Sequence, residues 1–446
     1  MIEKTWMGAS KSNIHKVHCI DVDQAKLPEY LQLLMQADQI VLTCFTFKLI
    51  QIAQFLRRDF RPDLRFIIYV HNQASIAFWP FRSLGLGDLL RTDDVFIVSC
   101  SLDLELVKKT SENLRVELLP FTLDRLGLSN MAASSKRTPK KFVFIGRLSP
   151  QKNLHSLIYA FSILKVQQPE SDVTLELYGR EDDLGSPNMG LEFPHYLRYL
   201  QTLSNELNIS DSVLFKGHVD RGILEQSLSG SGTVFVSPSL HSDENFGMAA
   251  FSALLHGRVA LLSHWGGHVD FAKHFPDQVH FVNVHSSEAG PFIDIVELVK
   301  EMSNLLGADP VLQSKKMPLY YQEYSISERL LKLALEPKFQ GEALQFTMLA
   351  DQVWQAQKKF QGKSVRQCMI FADYSDQRAH EFFRGYGMGR NSESYTSEQI
   401  SQVKFVPWAK LQELGLLVED PHRGRFEVSP HRNLNHRALL LGVAHR

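Results

Sequence analysis

The chain has 446 residues, enough for two or three domains that each bury a sizeable core. Its 48 Lys and Arg residues balance 49 Asp and Glu residues, so net charge gives no general attraction to nucleic acid or to a membrane. The apolar fraction of 44% and the charged fraction of 22% are those of a soluble globular protein. Because the cysteines are few and scattered, and neither an apolar leader nor an apolar run of membrane-spanning length is present, the sequence predicts a cytoplasmic protein.

Residues 14–125 alternate between two kinds of segment. Short apolar segments rich in β-branched and aromatic residues predict strands, and amphipathic segments predict helices. Strands that alternate with helices indicate a parallel sheet covered on both faces. The small, polar and basic segment 127–141 is typical of an interdomain linker. The predicted strands lie at 15–22, 39–45, 64–72, 94–101 and 115–124, and the predicted helices at 27–37, 47–60 and 102–113.

A second alternating series follows the linker. The two series predict an α/β protein with two Rossmann-like, doubly wound lobes, residues 1–130 and residues 131–338. Ligands of such sheets bind beyond the carboxyl ends of the strands, here in the cleft between the lobes. The predicted strands of the second lobe lie at 141–148, 173–179, 212–219, 233–239, 259–267 and 279–284, and its predicted helices at 153–168, 195–209, 220–231, 248–257 and 291–338.

The alternation stops before residues 341–446, which predict a small α+β domain. A helix is expected at 342–361, and the chain end predicts a helix followed by a β-hairpin, a winged-helix-like arrangement. Residues 361–446 hold 12 Lys or Arg against 9 Asp or Glu, a balance too even for strong phosphate binding. We therefore expect a protein-interaction or acceptor-docking surface here, and no nucleic-acid site.

The loop after the predicted strand 141–148 carries two cations, Arg147 and Lys152. Where a strand end leads into a helix N-terminus, free backbone amides and the helix dipole favour an anion. An arginine, which binds in a bidentate manner, and a lysine, which acts as a point charge, are suited to hold a diphosphate there. The alternative is a basic loop that faces solvent.

The segment 237–257 predicts a strand end, a polar turn and a helix, with Glu244 and Gly247 in the turn. Amides at the start of the helix are suited to bind an anion, and Gly247 lets a ligand approach the backbone closely. Glu244 is an acceptor for sugar or ribose hydroxyls. Alternatively, it only stabilises the helix dipole, by roughly 0.3–1 kcal/mol.

Three histidines are also candidates. His71 follows a buried strand of the first lobe, where it either faces the ligand cleft or has a structural role. His264 and His268 are four residues apart, but two glycines separate them and no third ligand is evident. We therefore expect no metal site.

In chain order, these segments resemble the retaining glycosyltransferases of GT-B fold, and family 4 in particular. That family reads approximately GRL…KG, G.V, PS..EGFGLPLLEAMA.G.P and GG..E. This chain reads GRLSPQKN from residue 146, KGHV from 216, SPSLHSDENFGMAAFSALLHG from 237 and SHWGGHVD from 263. The resemblance covers about residues 14–338 and is strongest from 142 to 272.

The resemblance implies a metal-independent, retaining hexosyltransferase whose nucleotide-diphosphate sugar is held mainly by the second lobe. Arg147 and Lys152 then contact the diphosphate, Glu244 contacts the donor sugar, and His71 lies near that sugar. No cofactor is implied beyond the donor itself, and the acceptor is an unidentified glycan, lipid or protein. The implied donor-binding set is Gly146, Arg147, Lys152, His218, Val219, Glu244, Asn245, Phe246, Gly247, Met248 and Ser252.

Three positions depart from the family pattern. Ser252 stands where the second glutamate usually holds the ribose hydroxyls, Asn153 replaces the glycine after the lysine, and Asp270 replaces the last glutamate. The loss of a charge-assisted hydrogen bond at Ser252 costs about 1–2 kcal/mol. The alternative function is therefore a degenerate transferase-like protein that binds a nucleotide or glycan without turnover and uses residues 341–446 as its effector.

Overall fold

The structure, a computed structural model, describes most of residues 2–351 and three short strands beyond them. Among these residues, no helix is both long enough and apolar enough to cross a membrane. The described residues are 2–10, 17–21, 27–43, 47–71, 87–123, 140–149, 152–181, 196–228, 232–240, 244–287, 290–307, 317–336, 341–348, 350–351, 394–395, 417–420 and 425–428.

The described elements alternate as expected for an α/β protein. The helices are α1 (Ile2–Ser10), α2 (Leu27–Gln36), α3 (Phe47–Phe55), α4 (Ser101–Lys108), α5 (Leu154–Gln167), α6 (Tyr196–Glu206), α7 (Arg221–Ser227), α8 (Met248–Leu255), α9 (Ile295–Gly307) and α10 (Glu323–Leu335). A π-helical turn covers Leu56–Phe60, and 3₁₀ turns cover Gly87–Leu89, Gly266–Lys273 and Leu319–Tyr321.

The strands are β1 (Gln39–Leu42), β2 (Arg65–Tyr69), β3 (Val95–Val98), β4 (Arg115–Leu118), β5 (Lys141–Ile145), β6 (Thr174–Tyr178), β7 (Val213–Gly217), β8 (Thr233–Ser237), β9 (Val259–Ser263), β10 (Val279–Val282), β11 (His285–Ser287), β12 (Gly290–Phe292), β13 (Ser394–Tyr395), β14 (Leu417–Asp420) and β15 (Arg425–Val428). The chain forms two compact units, Met1–Asp124 with Met317–Lys359, and Arg125–Lys316 with Phe360–Arg446.

The first unit contains a four-stranded parallel sheet in the order β1-β2-β3-β4. All five residues of β2 are buried, as its continuous apolar sequence predicts for a strand inside a covered sheet. Phe66 and Ile68 point into one core with α3, whereas Ile67 and Tyr69 point into a second core on the other face. The sheet is therefore covered on both faces.

The chain segment at 317–336 belongs to this first unit, although the sequence analysis assigned it to the second lobe. The apolar face of α10 carries Ile326, Leu330 and Leu333 into the core that contains Trp6 and Ile67. The first unit is thus built from two separate stretches of the chain.

One expected strand is absent and one expected helix begins late. Residues 17–21 of the strand predicted at 15–22 form no strand, and Cys19 and Asp21 are exposed, so this part of the segment buries little surface. The helix predicted at 342–361 does not begin before residue 348, because residues 341–347 contain isolated bridges at Ala343 and Phe346 instead of a helix. Their backbone groups instead pair with loops of the first sheet, as in the hydrogen bond from Thr92 N to Glu342 O.

The second unit contains a six-stranded parallel sheet in the order β10-β9-β8-β5-β6-β7. From β5 the chain proceeds to β6 and β7 on one side, and then crosses to β8, β9 and β10 on the other. This is the doubly wound order, and its switch point lies between β5 and β8. Helix α5 is buried along most of its length because α6 and α9 both pack against it.

At the chain end, the predicted hairpin is present as β14 and β15, which pair antiparallel from Leu417↔Val428 to Asp420↔Arg425. The helix predicted before it lies outside the described residues. So does the predicted linker up to residue 139. The winged-helix-like domain therefore stays a prediction.

Candidate functional site

Two loops of the second unit meet at the switch point of its sheet. One follows β5 and leads into α5, and the other follows β8 and leads into α8. Adjacent parallel strands whose connections leave in opposite directions open a crevice at their carboxyl ends, and ligands of doubly wound sheets bind there. The Lys152 and Glu244 segments of the sequence lie in these two loops.

Lys152 is placed by the residue that follows it. Asn153 has φ 56° and ψ 36°, in the left-handed region, and caps α5. Asparagine tolerates this conformation better than other residues with a side chain, which accounts for its presence where the family pattern has glycine. The Asn153 side chain also accepts a hydrogen bond of 2.6 Å from the Ser156 hydroxyl.

Lys152 and Glu244 form an ion pair although 92 residues separate them in sequence, with 2.5 Å between Lys152 Nζ and Glu244 Oε2. Both side chains are largely buried, being 15% and 11% exposed. Because water screens this ion pair less than one on the surface, the attraction between its two charges is stronger. The pair joins the two loops across the switch point.

The two helices that begin beside this pair differ at their N-termini. At the start of α5 the His155 amide donates to the Tyr196 hydroxyl at 3.3 Å, whereas the residue before α8 supplies no side-chain cap, and neither helix has an acidic residue in its first turn. The first amides of a helix have no partner within the helix, and the dipole gives them a partial positive charge. The N-terminus of α8 beside a lysine suits a ligand that carries negative charge.

The Glu244 turn is held from below by the loop after β9. The Gly267 N–H donates to the Glu244 carbonyl at 2.6 Å. A Cβ on Gly267 would lie 2.4 Å from Phe246 Cα, so only glycine fits under the turn. Gly247 has φ +87°, and a Cβ on it would lie 2.7 Å from His268 Cδ2. The glycines of the two motifs therefore let these two loops pack backbone against backbone.

The residue beneath Gly247 is His268, which is 1% exposed. Its Nδ1 lies 3.3 Å from the Ser263 hydroxyl, which donates to the Ser239 carbonyl at 2.6 Å. Burial lowers the pKa of the His268 imidazole below its ordinary value, Glu244 opposes that change, and Lys152 adds to it. The surroundings of His268 therefore favour its neutral form under the charged pair.

Phe246 contributes to the core and not to the ligand surface. Its ring is 3% exposed and makes T-shaped contacts with Phe251 and Phe271, at centroid distances of 5.2 and 5.5 Å. Only its backbone is available to a ligand.

The other expected donor-binding residues of the second unit lie at carboxyl ends of strands in this sheet or on the helix that follows β8. Arg147 is exposed and Gly146 is half-buried after β5, and His218 is exposed and Val219 half-buried after the edge strand β7. Asn245, Met248 and Ser252 are half-buried in the turn and on α8. The Ser252 carbonyl accepts a hydrogen bond from His256 Nδ1 at 2.7 Å.

The sequence comparisons concern this part of the chain. Residues 130–301 match the family described as Glycosyl transferases group 1, and they include the β5, β8 and β9 loops. Residues 130–301 are called the group 1 domain below, after the family that they match. The uncharacterized glycosyltransferase YqgM of Bacillus subtilis (strain 168) is 27% identical over 197 residues, which are 44% of this chain and 49% of that protein. The chain thus spans about half the length of this curated relative.

Solved structures resemble this chain in fold. The apo lipopolysaccharide outer core galactosyltransferase WaaB matches with a TM-score of 0.50 and 14% identity, over 69% of this chain and 78% of WaaB. Anabaena Alr3699/HepE, solved with UDP and glucose, matches with a TM-score of 0.49 and 15% identity, over 70% of this chain and 81% of HepE. Identities this low concern the fold alone, and the WaaB match supports the predicted GT-B fold.

His71 lies outside the group 1 domain, in the first unit. Its Nε2 donates to the Thr43 carbonyl at 2.7 Å, and its ring stacks on Tyr69 and Phe121. Burial lowers the pKa of the His71 imidazole, and the hydrogen bond to Thr43 partly opposes this. A neutral, anchored imidazole at the end of β2 fits either role that the sequence left open.

The two histidines of the SHWGGHVD segment do not converge on one point of the group 1 domain. The His264 ring contacts Phe281 of β10 edge-on at 4.9 Å, whereas His268 binds Ser263. Among the residues that the structure describes, no group of three or more His, Cys, Asp or Glu side chains is arranged to hold a metal ion.

The sequence analysis missed the support beneath the turn. His268 was considered only as a metal ligand, and the hydrogen-bonded residues Ser263 and Ser239 were not singled out. The glycine pair before His268 was the available signal, because it predicts a close approach of two backbones. It does not indicate which side chain fills the space beneath them.

Proposed function

We propose that this protein is a retaining glycosyltransferase that moves a sugar from a nucleotide-diphosphate donor held at the carboxyl edge of the six-stranded sheet. The observation that carries the proposal is the Lys152–Glu244 ion pair beside the N-terminus of α8. This arrangement lies within the residues that match the group 1 family. Its positive groups suit a diphosphate, and its carboxylate suits sugar hydroxyls.

The chemistry follows from where charge develops. When the glycosidic bond to the diphosphate breaks, negative charge grows on the leaving phosphate oxygens. Lys152, Arg147 and the amides at the start of α8 are fixed before the reaction and would stabilise this charge. Preorganised groups of this kind usually supply the largest catalytic contribution. Retention would follow from attack by the acceptor on the face from which the diphosphate leaves, with a phosphate oxygen taking the acceptor proton.

Glu244 has a second role in the free protein. It neutralises Lys152 while no donor is bound, and an entering diphosphate would compete for the same ammonium. The freed carboxylate would then be available to the hydroxyls of the donor sugar. Ser252, which is half-buried on α8, would remain a hydroxyl partner for the ribose, so we favour turnover over a binding-only role.

The test is the release of nucleoside diphosphate from UDP-, GDP- and ADP-sugars by the full chain, with a panel of sugar and glycan acceptors. Lys152→Ala should lower turnover with the active donor by about 10²–10³-fold, the loss typical for a fixed group that stabilises a developing charge. Glu244→Gln should lower it by about 10–100-fold, because the charged acceptor for the donor-sugar hydroxyls is lost. The matched controls are Glu328→Ala and Lys332→Ala, which break an exposed ion pair in the first unit and should retain wild-type turnover.

The anomeric configuration of the product, followed by proton NMR, tests retention separately. The proposal predicts the configuration of the donor, and an inverted product would contradict it. Saturable nucleotide binding without release from any donor–acceptor pair would support the degenerate binding protein instead.

A further inference from the structure

His268 stands out because no role in catalysis or binding has been assigned to it. It is buried at the centre of the site, between the end of β9 and the Glu244–Gly247 turn. The Ser263 hydroxyl at the end of β9 links it to the Ser239 carbonyl after β8. Its ring contacts the Cα side of Gly247, where no other amino acid than glycine would fit without displacement.

The hydrogen bonds assign the tautomer of this ring. The Ser263 hydroxyl has one proton, which it donates to the Ser239 carbonyl at 2.6 Å. It can therefore only accept from His268, so that Nδ1 carries the proton and Nε2 has the lone pair. The chain of bonds fixes the plane of the imidazole relative to the sheet edge.

The charged groups that face this imidazole come from the two site loops. They are Lys152, from the loop after β5, and Glu244, from the turn above. Its contact with β9 is a hydrogen bond with the uncharged Ser263, and its own 3₁₀ turn contains Asp270 and Lys273, which pair with each other at 3.1 Å. A proton added to Nε2 would thus place a second buried positive charge near Lys152.

We propose that His268 is a positioning residue, which as a neutral Nδ1–H imidazole holds the Glu244–Gly247 turn in the form that binds the donor. The ring anchors Gly247 from below while Ser263 and Ser239 anchor the ring. Protonation of the ring displaces the turn. The inference about donor binding rests on the proposed function, but the inference about the turn does not.

One NMR signal reports directly on the turn. Phe246–Gly247 is the single Phe-Gly dipeptide in the sequence, so carbonyl-¹³C phenylalanine with ¹⁵N glycine labels one cross-peak. In the wild-type full chain, this peak should shift with pH along the titration of His268. The titration of His268 is followed through its imidazole C2–H proton signal in the wild type. That signal is assigned by its absence from the spectrum of His268→Asn.

Two variants separate positioning from bulk packing. His268→Asn keeps an N–H donor near Nδ1 and does not titrate, so its Gly247 peak should stay near the wild-type neutral position at every pH. His268→Phe fills the space without a donor, and its peak should be displaced at every pH. A wild-type peak that does not move while His268 titrates would overturn the proposal, as would a wild-type position in His268→Phe. If His268→Phe does not fold, the wild-type and His268→Asn titrations decide alone.

Calorimetry at pH 7.5 with UDP, GDP and ADP adds the functional readout. Whichever nucleotide binds the wild type should bind His268→Phe about tenfold more weakly, and His268→Asn should recover most of that loss. If none of the three binds the wild type while the Gly247 peak still follows His268, the proposed function fails and the positioning role stands. Equal affinity of wild type and His268→Phe would overturn the role of His268 in donor binding.

Discussion

Asn153 shows how a single backbone conformation places the lysine of the site. Its positive φ fixes the direction in which the chain enters α5, and Lys152 is the preceding residue. Left-handed conformation costs about 1–2 kcal/mol for most residues with a Cβ, and less for asparagine. The family pattern solves the same problem with glycine.

We predict that Asn153→Ala lowers the free energy of unfolding by about 1–2 kcal/mol, because alanine is strained at this φ and loses the bond to Ser156. Asn153→Gly should cost less, since glycine relieves the strain and loses only that bond. Urea unfolding of both variants measures the difference. An alanine variant as stable as the wild type would show that φ is not fixed as described.

His71 gives a pH dependence whose sign follows from its burial. Its pKa is lowered in the folded state, so the unfolded state binds more protons once the pH falls below the ordinary histidine value. The stabilisation is present above that value and is lost as pH falls toward the folded pKa. His71→Asn should therefore flatten the decline of unfolding free energy between about pH 7 and pH 5. Parallel declines in the two proteins would contradict the described burial.

The residue order of the site was predictable from sequence, because the family pattern presents Lys152 and Glu244 in the right loops. Their direct pairing was not, since two residues 92 positions apart meet only through the strand order of the sheet. The contacts of His268 were also not predictable from the sequence. Its spacing from His264 suggested a shared ligand, whereas the backbone turns the two rings to different partners.

At the scale of elements, the packing of the turn on the loop after β9 depends on glycine. Gly267→Ala would put a Cβ within 2.5 Å of the Phe246 backbone, which cannot move without displacing the turn. We predict a loss of several kcal/mol or failure to fold, as expected for overpacking against backbone.

Gly222 in α7 is the matched control. A Cβ there meets nothing within 4 Å, so Gly222→Ala should stabilise the protein by about 0.5–1 kcal/mol through helix propensity. Thermal denaturation of the two alanine variants tests whether Gly267→Ala lowers the stability of the protein and Gly222→Ala raises it. Similar stability of both variants would contradict the close packing beneath the turn.

Strands were predictable wherever a continuous apolar run is buried, as in β2 and β8. The errors occurred where a partner decides the conformation. Residues 341–347 have a sequence compatible with a helix, but Gly341 lies against Asp93 and the following backbone pairs with loops of the first sheet. The sequence of residues 341–347 alone does not reveal that loops of the first sheet will pair with them.

At the scale of the whole molecule, the first unit is completed by a segment that returns after the second unit. Helix α10 supplies Leu330, which is fully buried, to the core under β2. Glu336 then pairs with Arg65 and Arg115, which keeps the pKa of its carboxyl below the ordinary value. The periodicity of α10 predicts one buried face, but it does not indicate which unit covers that face.

We predict that Leu330→Ala costs about 2–5 kcal/mol, the usual range for a large buried side chain. The loss should appear in the unfolding of the first unit. Leu335→Ala, at a half-exposed position of the same helix, should change stability by less than about 1 kcal/mol. Calorimetric scans of both variants test this, and a loss confined to the second unit would contradict the assignment of α10.

The central claim is that Lys152 binds the donor diphosphate and that Glu244 pairs with Lys152 while no donor is bound. Titration calorimetry of UDP, GDP and ADP into the full chain, Lys152→Ala and Glu244→Gln tests this most directly. For the nucleotide that binds, Lys152→Ala should weaken affinity at least about tenfold, because one charge-assisted contact contributes about 1.5–3 kcal/mol. Glu244→Gln should bind it as tightly as the wild type or more tightly, because the lysine loses its competing carboxylate. Wild-type affinity in Lys152→Ala would contradict the claim.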